Sequence, residues 1–389
     1  MTPFSGGLAQ AREVVARYWG YGGFRPAQAR VLAPLLAGRS VLGVLATGAG
    51  KSLCYQVPAL LGRGLTLVVS PLISLMQDQV GALRRRGVAA LYLNGALSAD
   101  EQGAVLRAVG RGAVRLLYCA PERLPTLVRW LRRRAVGVSL LAVDEAHCIV
   151  AWGNEFRPVY RRLGEFRYLL GRPPTVALTG SATPATRQEI LEVLRMPDAE
   201  VVVTSFDRPN LMFRVRRVRN DRERFAAIHS LGRAADGAVI IYTPTRRLTE
   251  LVTRALLFRS VRAAPYHAGL TDDVRRRVLL AFLRDRVHVV VATTAFGMGI
   301  DKPDVRRVMH WGPSRTLESY YQEAGRGGRD GRPAECLLLW RPEDFAFGAV
   351  APEMLRYVET RGCRRRLLLE YFGERVETCS GCDACGTPD

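Results

Sequence analysis

Residues 40–61 read SVLGVLATGAGKSLCYQVPALL, and the way this stretch divides decides the fold class. The apolar run 40–46 predicts a buried strand, and a helix is expected from Lys51 onward, with a glycine-bearing loop between them. Strand, loop and helix in that order set backbone N–H groups and a helix N-terminus around an anion. Thr47, Gly48 and Gly50 form the cradle, Lys51 reaches between phosphates, and the Ser52 hydroxyl is a ligand for Mg²⁺. Leu45 stands where the strict pattern carries glycine. Of the 57 Lys and Arg residues only Lys51 and Lys302 are lysine, so a chain that otherwise writes arginine keeps a slim ammonium here. The stretch predicts a nucleotide-hydrolysing site.

Outward from it, apolar runs alternate with helical segments: LTLVVS (65–70), ALYLN (90–94), VRLLYCA (114–120), SLLAVDEAH (139–147), TVALTGSAT (175–183) and EVVVTS (200–205). Such alternation predicts a parallel sheet covered on both faces. The polar SFDRPN (205–210) interrupts it as a linker. The rhythm resumes with GAVIIYT (237–243), VRAAPYHAG (261–269), HVVVATTA (288–295), VRRVMHWG (305–312) and ECLLLW (335–340). An α/β protein with two tandem parallel-sheet domains, 1–205 and 206–342, is expected, followed by a small helical, cysteine-bearing subdomain over 343–389.

With 389 residues and 48% hydrophobic content the chain can fill two cores. It lacks a long apolar stretch, and its N-terminus lacks a secretion layout, so a cytoplasmic protein is expected. The net charge of +21 points to a polyanionic partner. Arginine triplets at 84–86, 132–134, 275–277 and 364–366 lie on helix-like segments and read individually as solvated faces. Cys54, Cys119, Cys148 and Cys336 sit among apolar neighbours and read as core residues.

Asp144 and Glu145 end an apolar run, at the strand terminus where open α/β sheets bind ligands. Asp144 is the expected second Mg²⁺ anchor, and Glu145 the group that orients the attacking water. Far downstream, QEAGRGGRDG (322–331) carries Gln322, Arg326 and Arg329. The two arginines are spaced one helical turn apart, which predicts a shared face. From the second domain they would serve as the guanidinium groups of a phosphoryl-transfer site.

Together, ATGAGKS, SPLISLMQDQ, LYCAPERL, VDEAHC, LTGSAT, SFDRPN, AAPYHAGL, VATTAFGMGIDKPDVR and SYYQEAGRGGRDGRPAE resemble the ordered motifs of RecQ helicases of superfamily two. The resemblance runs from about Tyr18 to Cys385 and implies two RecA-like domains, ATP, Mg²⁺, 3′-to-5′ travel, and DNA repair or recombination. It implies that Gln28 bonds the adenine edge while Tyr21 and Arg25 stack on the base. AWGNEFRP (151–158) falls where the family has an aromatic-rich loop sensing single-stranded DNA, with Trp152, Phe156 and Arg157 as stacking groups and charge. The chain departs from the family pattern at Val150-Ala151, Asn154-Glu155, Gly180-Ser181, Thr243-Pro244-Thr245 and Asp301, none of which removes a catalytic group.

Cys363, followed by Cys379, Cys382 and Cys385 in CSGCDAC, offers four thiolates with spacing suited to structural Zn²⁺; a disulfide pair is the alternative. The spacing is similar to the RecQ zinc module. The chain ends soon after Cys385, before the winged helix many relatives carry, which implies a short form. The expected partner is DNA, single-stranded and as forked or tailed duplex. The alternatives are a translocase with weak unwinding, an RNA helicase, or a DNA-binding scaffold without turnover.

Overall fold

The computed structural model describes residues 4–46, 48–153, 157–233, 237–297, 302–346 and 350–386. The chain divides into two compact units, Met1–Ser205 and Phe206–Asp389. The first is built on β1 (Val41–Val44), β2 (Leu65–Val69), β3 (Ala90–Leu93), β4 (Leu116–Cys119), β5 (Val138–Val143), β6 (Thr175–Thr179) and β7 (Glu200–Val203). These pair in the order β3-β4-β2-β5-β6-β1-β7, every neighbour parallel. β1, β2, β4 and β6 are buried along their whole length, which is why they read as unbroken apolar runs.

The strands stop short of the chemistry. β1 ends at Val44, and the following helix starts at Leu53 with Ser52 as its N-cap, so Lys51 lies in a turn. β5 ends at Val143, leaving residues 144–147 as turn above the sheet. Since β6 lies between β5 and β1, both functional loops rise from the same edge on either side of it.

The second unit holds β8 (Leu211–Arg217), β9 (Ala238–Tyr242), β10 (Ala263–Tyr266), β11 (Val289–Ala292), β12 (Val305–His310) and β13 (Ala334–Trp340), in the order β10-β11-β9-β12-β13-β8, again all parallel. β8 is a strand that the sequence pattern did not announce. Its outward arginines at 214, 216 and 217 hide the inward Leu211 and Phe213.

Two expectations are corrected in this unit. The SFDRPN segment is packed into the unit instead of running free as a linker. Phe206 is buried and stacks on Phe372 at 4.7 Å between ring centroids, and its N–H donates to Glu374 at 2.6 Å. The triplet 364–366 also departs from a solvated face, because Arg364 and Arg365 are buried at the start of the helix Arg364–Tyr371. Arg365, 1% exposed, pairs with Asp207 and donates to the carbonyls of Leu211 and, at 2.9 Å, Arg208. Arg364 donates to Asp383 at 2.5 Å and to the Tyr357 carbonyl at 2.8 Å. At the outer side of β8, Cys382 bridges Phe213, the Asp383 N–H donates to the Phe213 carbonyl at 3.0 Å, and the Val215 N–H donates to the Asp383 carboxylate at 2.8 Å.

Removing one partner of a buried ion pair strands the other. Arg365→Met should therefore destabilise the second unit by roughly 3–5 kcal/mol, read as a lowered urea midpoint. An unchanged midpoint would show the pair to be dispensable.

Candidate nucleotide site and cysteine cluster

Lys51 and Ser52 stand at the foot of the helix Leu53–Leu61. The Lys51 ammonium donates weakly to the Leu45 carbonyl at 3.4 Å, so little in the fold depends on it. Ser52 does not cap its helix through its side chain; its hydroxyl lies near the hydroxyl of Tyr55. Tyr55, fully buried, donates to the Asp144 carboxylate at 3.3 Å. The two oxygen donors expected for Mg²⁺ thus lie at one phenol, a hard-oxygen set that suits the ion.

Asp144 is 6% exposed. Burial first, and then the charge of Glu145, push its carboxyl up to about 7, with Lys51 pulling the other way. Glu145 adopts φ 49°, a left-handed conformation rare outside glycine, and backbone strain of this kind gathers at functional sites. Its carboxylate lies 3.5 Å from His147 Nδ1, which also contacts the Thr179 hydroxyl at 3.0 Å. Thr179 in turn donates to the Ser181 carbonyl at 3.0 Å. The turn after β5 and the loop after β6 are thereby joined through side chains.

Gln28, 3% exposed, accepts from the Arg25 N–H at 2.9 Å and donates to the Ala49 and Gly50 carbonyls at 3.0 and 3.1 Å. Arg25 donates to the Gly48 carbonyl at 2.5 Å. The residues expected to read adenine are therefore hydrogen-bonded to the phosphate loop itself, and Gln28 has one amide engaged on both sides. Gly50, at φ 73°, leaves room for that amide, since a Cβ would meet Gln28 Nε2 at 2.5 Å. Tyr21 is 52% exposed, its ring free to accept a stacking partner. Thr47 lies outside the described residues.

Trp152 closes the helix Cys148–Gly153, with the Arg157 guanidinium 5.2 Å from its ring centroid. Arg157 is further engaged by the Pro71 carbonyl at 2.6 Å and Glu122 at 3.1 Å. Phe156 lies outside the described residues.

In the second unit, Gln322 lies on the helix Leu317–Ala324, but Arg326 and Arg329 follow its end. Residues 325–331 form turns, with Gly328 at φ 53°, so the expected shared helical face does not exist. Arg326 is buried, its positive charge close to the buried Tyr242 hydroxyl, whereas Arg329 is half-buried.

The sulfur atoms of Cys363, Cys379, Cys382 and Cys385 lie within 4.8 Å of one another. Tetrahedral zinc thiolates hold sulfurs about 3.8 Å apart, so the cluster fits that ion. Burial opposes ionisation of Cys382, yet backbone N–H groups of Arg364, Cys385 and Ala384 aimed at its sulfur bring the thiol down to about 7. All eight cysteines are free thiols. The four core cysteines are buried as expected, and burial raises Cys54 and Cys336 to about 12.

Tyr55 and the His147–Thr179 link were not visible as site residues in the sequence, since each acts through partners distant along the chain. Among the described residues, no helix is long and apolar enough to cross a membrane.

Three family profiles match: DEAD/DEAH box helicase over residues 25–191, helicase conserved C-terminal domain over 223–331, and RecQ zinc-binding over 350–386. The chain is 42% identical to the ATP-dependent DNA helicase RecQ of Pasteurella multocida, covering 97% of this chain and 62% of that protein. It is 40% identical to the ATP-dependent DNA helicase RecQ of Bacillus subtilis, covering 97% of this chain and 67% of that one. The chain thus spans roughly two thirds or less of the length of these relatives. Among solved structures, the helicase MrfA bound to DNA and AMPPNP aligns with a TM-score of 0.73 at 18% identity, over 98% of this chain and 55% of that one. Mycobacterium smegmatis Lhr bound to ssDNA and AMP-PNP aligns with a TM-score of 0.68 at 23% identity, over 88% and 49%. At these identities the structural likeness speaks for the fold.

Proposed function

Because the chain belongs to the RecQ family of ATP-dependent DNA helicases, we propose that it is an ATP- and Mg²⁺-dependent motor on DNA, travelling 3′ to 5′ and serving repair or recombination in the cytoplasm. The observation that carries this reading is the buried contact of Tyr55 with Asp144, with Ser52, Lys51 and the strained Glu145 beside it. Lys51 and the loop amides hold the triphosphate, and Glu145, kept in place by His147, orients the attacking water. Mg²⁺ held by Ser52 and Asp144 would supply positive charge against the phosphate oxygens. Gln28 reads the adenine edge, with Tyr21 and Arg25 stacking on the ring. Arg326 and Arg329 neutralise charge on the departing phosphoryl group, with Gln322 ordering that segment. Trp152, Phe156 and Arg157 sense the DNA strand. The thiolates of Cys363, Cys379, Cys382 and Cys385 would hold structural Zn²⁺, which would cross-link the tail.

Single-stranded DNA is expected to raise ATP turnover by at least about tenfold, with RNA giving little, since strand binding has to position the hydrolytic groups. Gel separation of a forked duplex with a 3′ tail tests unwinding and polarity in the same preparation. Equal activation by RNA would overturn the DNA assignment.

A further inference from the structure

We propose that Arg208 is a positioning residue for the loop that carries Arg326 and Arg329, an inference that rests on the role given above to those two arginines. The loop leaves the helix Leu317–Ala324 through Gly325, Gly327 and Gly328, residues that hold no conformation by themselves. A helix end also leaves carbonyls without partners. Arg208 meets both needs with one side chain. Its Nη1 donates to the Gly325 carbonyl at 3.2 Å, and its Nη2 donates to the Gly327 and Gly328 carbonyls, each at 3.0 Å. The three acceptors bracket Arg326 on both sides and end at the peptide bond that leads into Arg329.

Asn210 strengthens the hold, donating to the Gly328 carbonyl at 2.7 Å and the Arg332 carbonyl at 2.9 Å. Gly328 is required by this arrangement. Its φ is 53°, and a Cβ there would strike the Asn210 amide and stand 2.6 Å from the Arg332 carbonyl. From the opposite side the Gly328 N–H donates to the Val305 carbonyl at 2.9 Å. Arg208 is itself anchored, because its carbonyl accepts from Arg365 at 2.9 Å and Asp207 beside it pairs with the same guanidinium. A planar fork can serve three carbonyls at fixed angles where a lysine ammonium offers a point charge, so the site calls for Arg.

An arginine that neutralises transition-state charge has to be set to within about an ångström, and a shift of that size lowers rate by roughly 10²-fold. The test uses the full chain with single-stranded DNA, at temperatures well below each variant's unfolding transition. Arg208→Gln and Arg208→Ala should lower kcat by about 30- to 100-fold while KM for ATP stays within about twofold. Arg208→Lys should recover thermal stability more fully than kcat. Introduced into an Arg329→Ala background, Arg208→Ala should cost less than it does in the parent, since one of the two arginines it positions is gone. Wild-type kcat in folded Arg208→Gln would overturn the proposal, as would a full additional loss in the Arg329→Ala background. Wild-type turnover by Arg329→Ala alone would instead refute the role of the arginine loop, and this proposal with it.

Discussion

Lys51→Ala is expected to abolish ATP turnover, by at least about 10²–10³-fold, and Arg329→Ala to lower it by about 10³–10⁵-fold, with thermal midpoints close to the parent's. The two predictions differ in mechanism. Among the described residues Lys51 makes a weak contact at 3.4 Å to the Leu45 carbonyl, so its loss removes phosphate binding with little structural penalty. Arg329 lies half-buried in a turn, and its proposed role is to act on the transferring phosphoryl group. Nucleotide binding measured by equilibrium dialysis should therefore weaken in Lys51→Ala and persist in Arg329→Ala. Retention of turnover within tenfold by Lys51→Ala would mean that residues 45–52 are not the phosphate site. Arg326→Ala is a poorer probe, because removing a buried side chain adds a folding defect.

The second large effect concerns the thiol cluster. Metal binding in small zinc modules is worth about 10–16 kcal/mol of folding free energy. From sequence alone, a tail that unfolds by itself on chelation is the natural expectation. The structure redirects that loss, because the helix following Cys363 supplies Arg364 and Arg365, which are bonded to Asp383, Asp207 and the β8 carbonyls. Phe372, at the end of the same helix, packs on Phe206 and Tyr321. Treatment with a strong chelator, or Cys382→Ser, should therefore lower the thermal midpoint of the whole second unit and open residues 206–217 to protease, while the first unit keeps its own transition. Calorimetry with limited proteolysis reads both. A second unit melting unchanged without metal would show the cluster to be an appendage.

Much of the architecture was legible because buried parallel strands write themselves as apolar runs between polar turns. β1, β2, β5 and β9 are examples. Lys51, Ser52, Asp144 and Glu145 could be singled out as candidates for a related reason: the chemistry proposed for them depends on local spacing at strand ends. β8 failed that test, since Arg214, Arg216 and Arg217 face outward and swamp the two inward apolar residues. Residues 206–210 looked like a connector because their partners, Phe372, Arg365 and Gly328, are far away in sequence. The spacing of Arg326 and Arg329 suggested a helical face, but the intervening glycines end the helix and turn the chain. Composition likewise concealed that two arginines of an ordinary-looking triplet are interior ion-pair donors.

β8 is the outermost strand of its sheet, the kind of exposed border at which one protein molecule can add its own strand to another. Asp383 occupies that border with its amide and carboxylate, against the Phe213 carbonyl and the Val215 N–H, while Cys382 sits across from Phe213. The knuckle that gathers the thiols is thus also a guard rail, denying neighbouring molecules a template on which to stack.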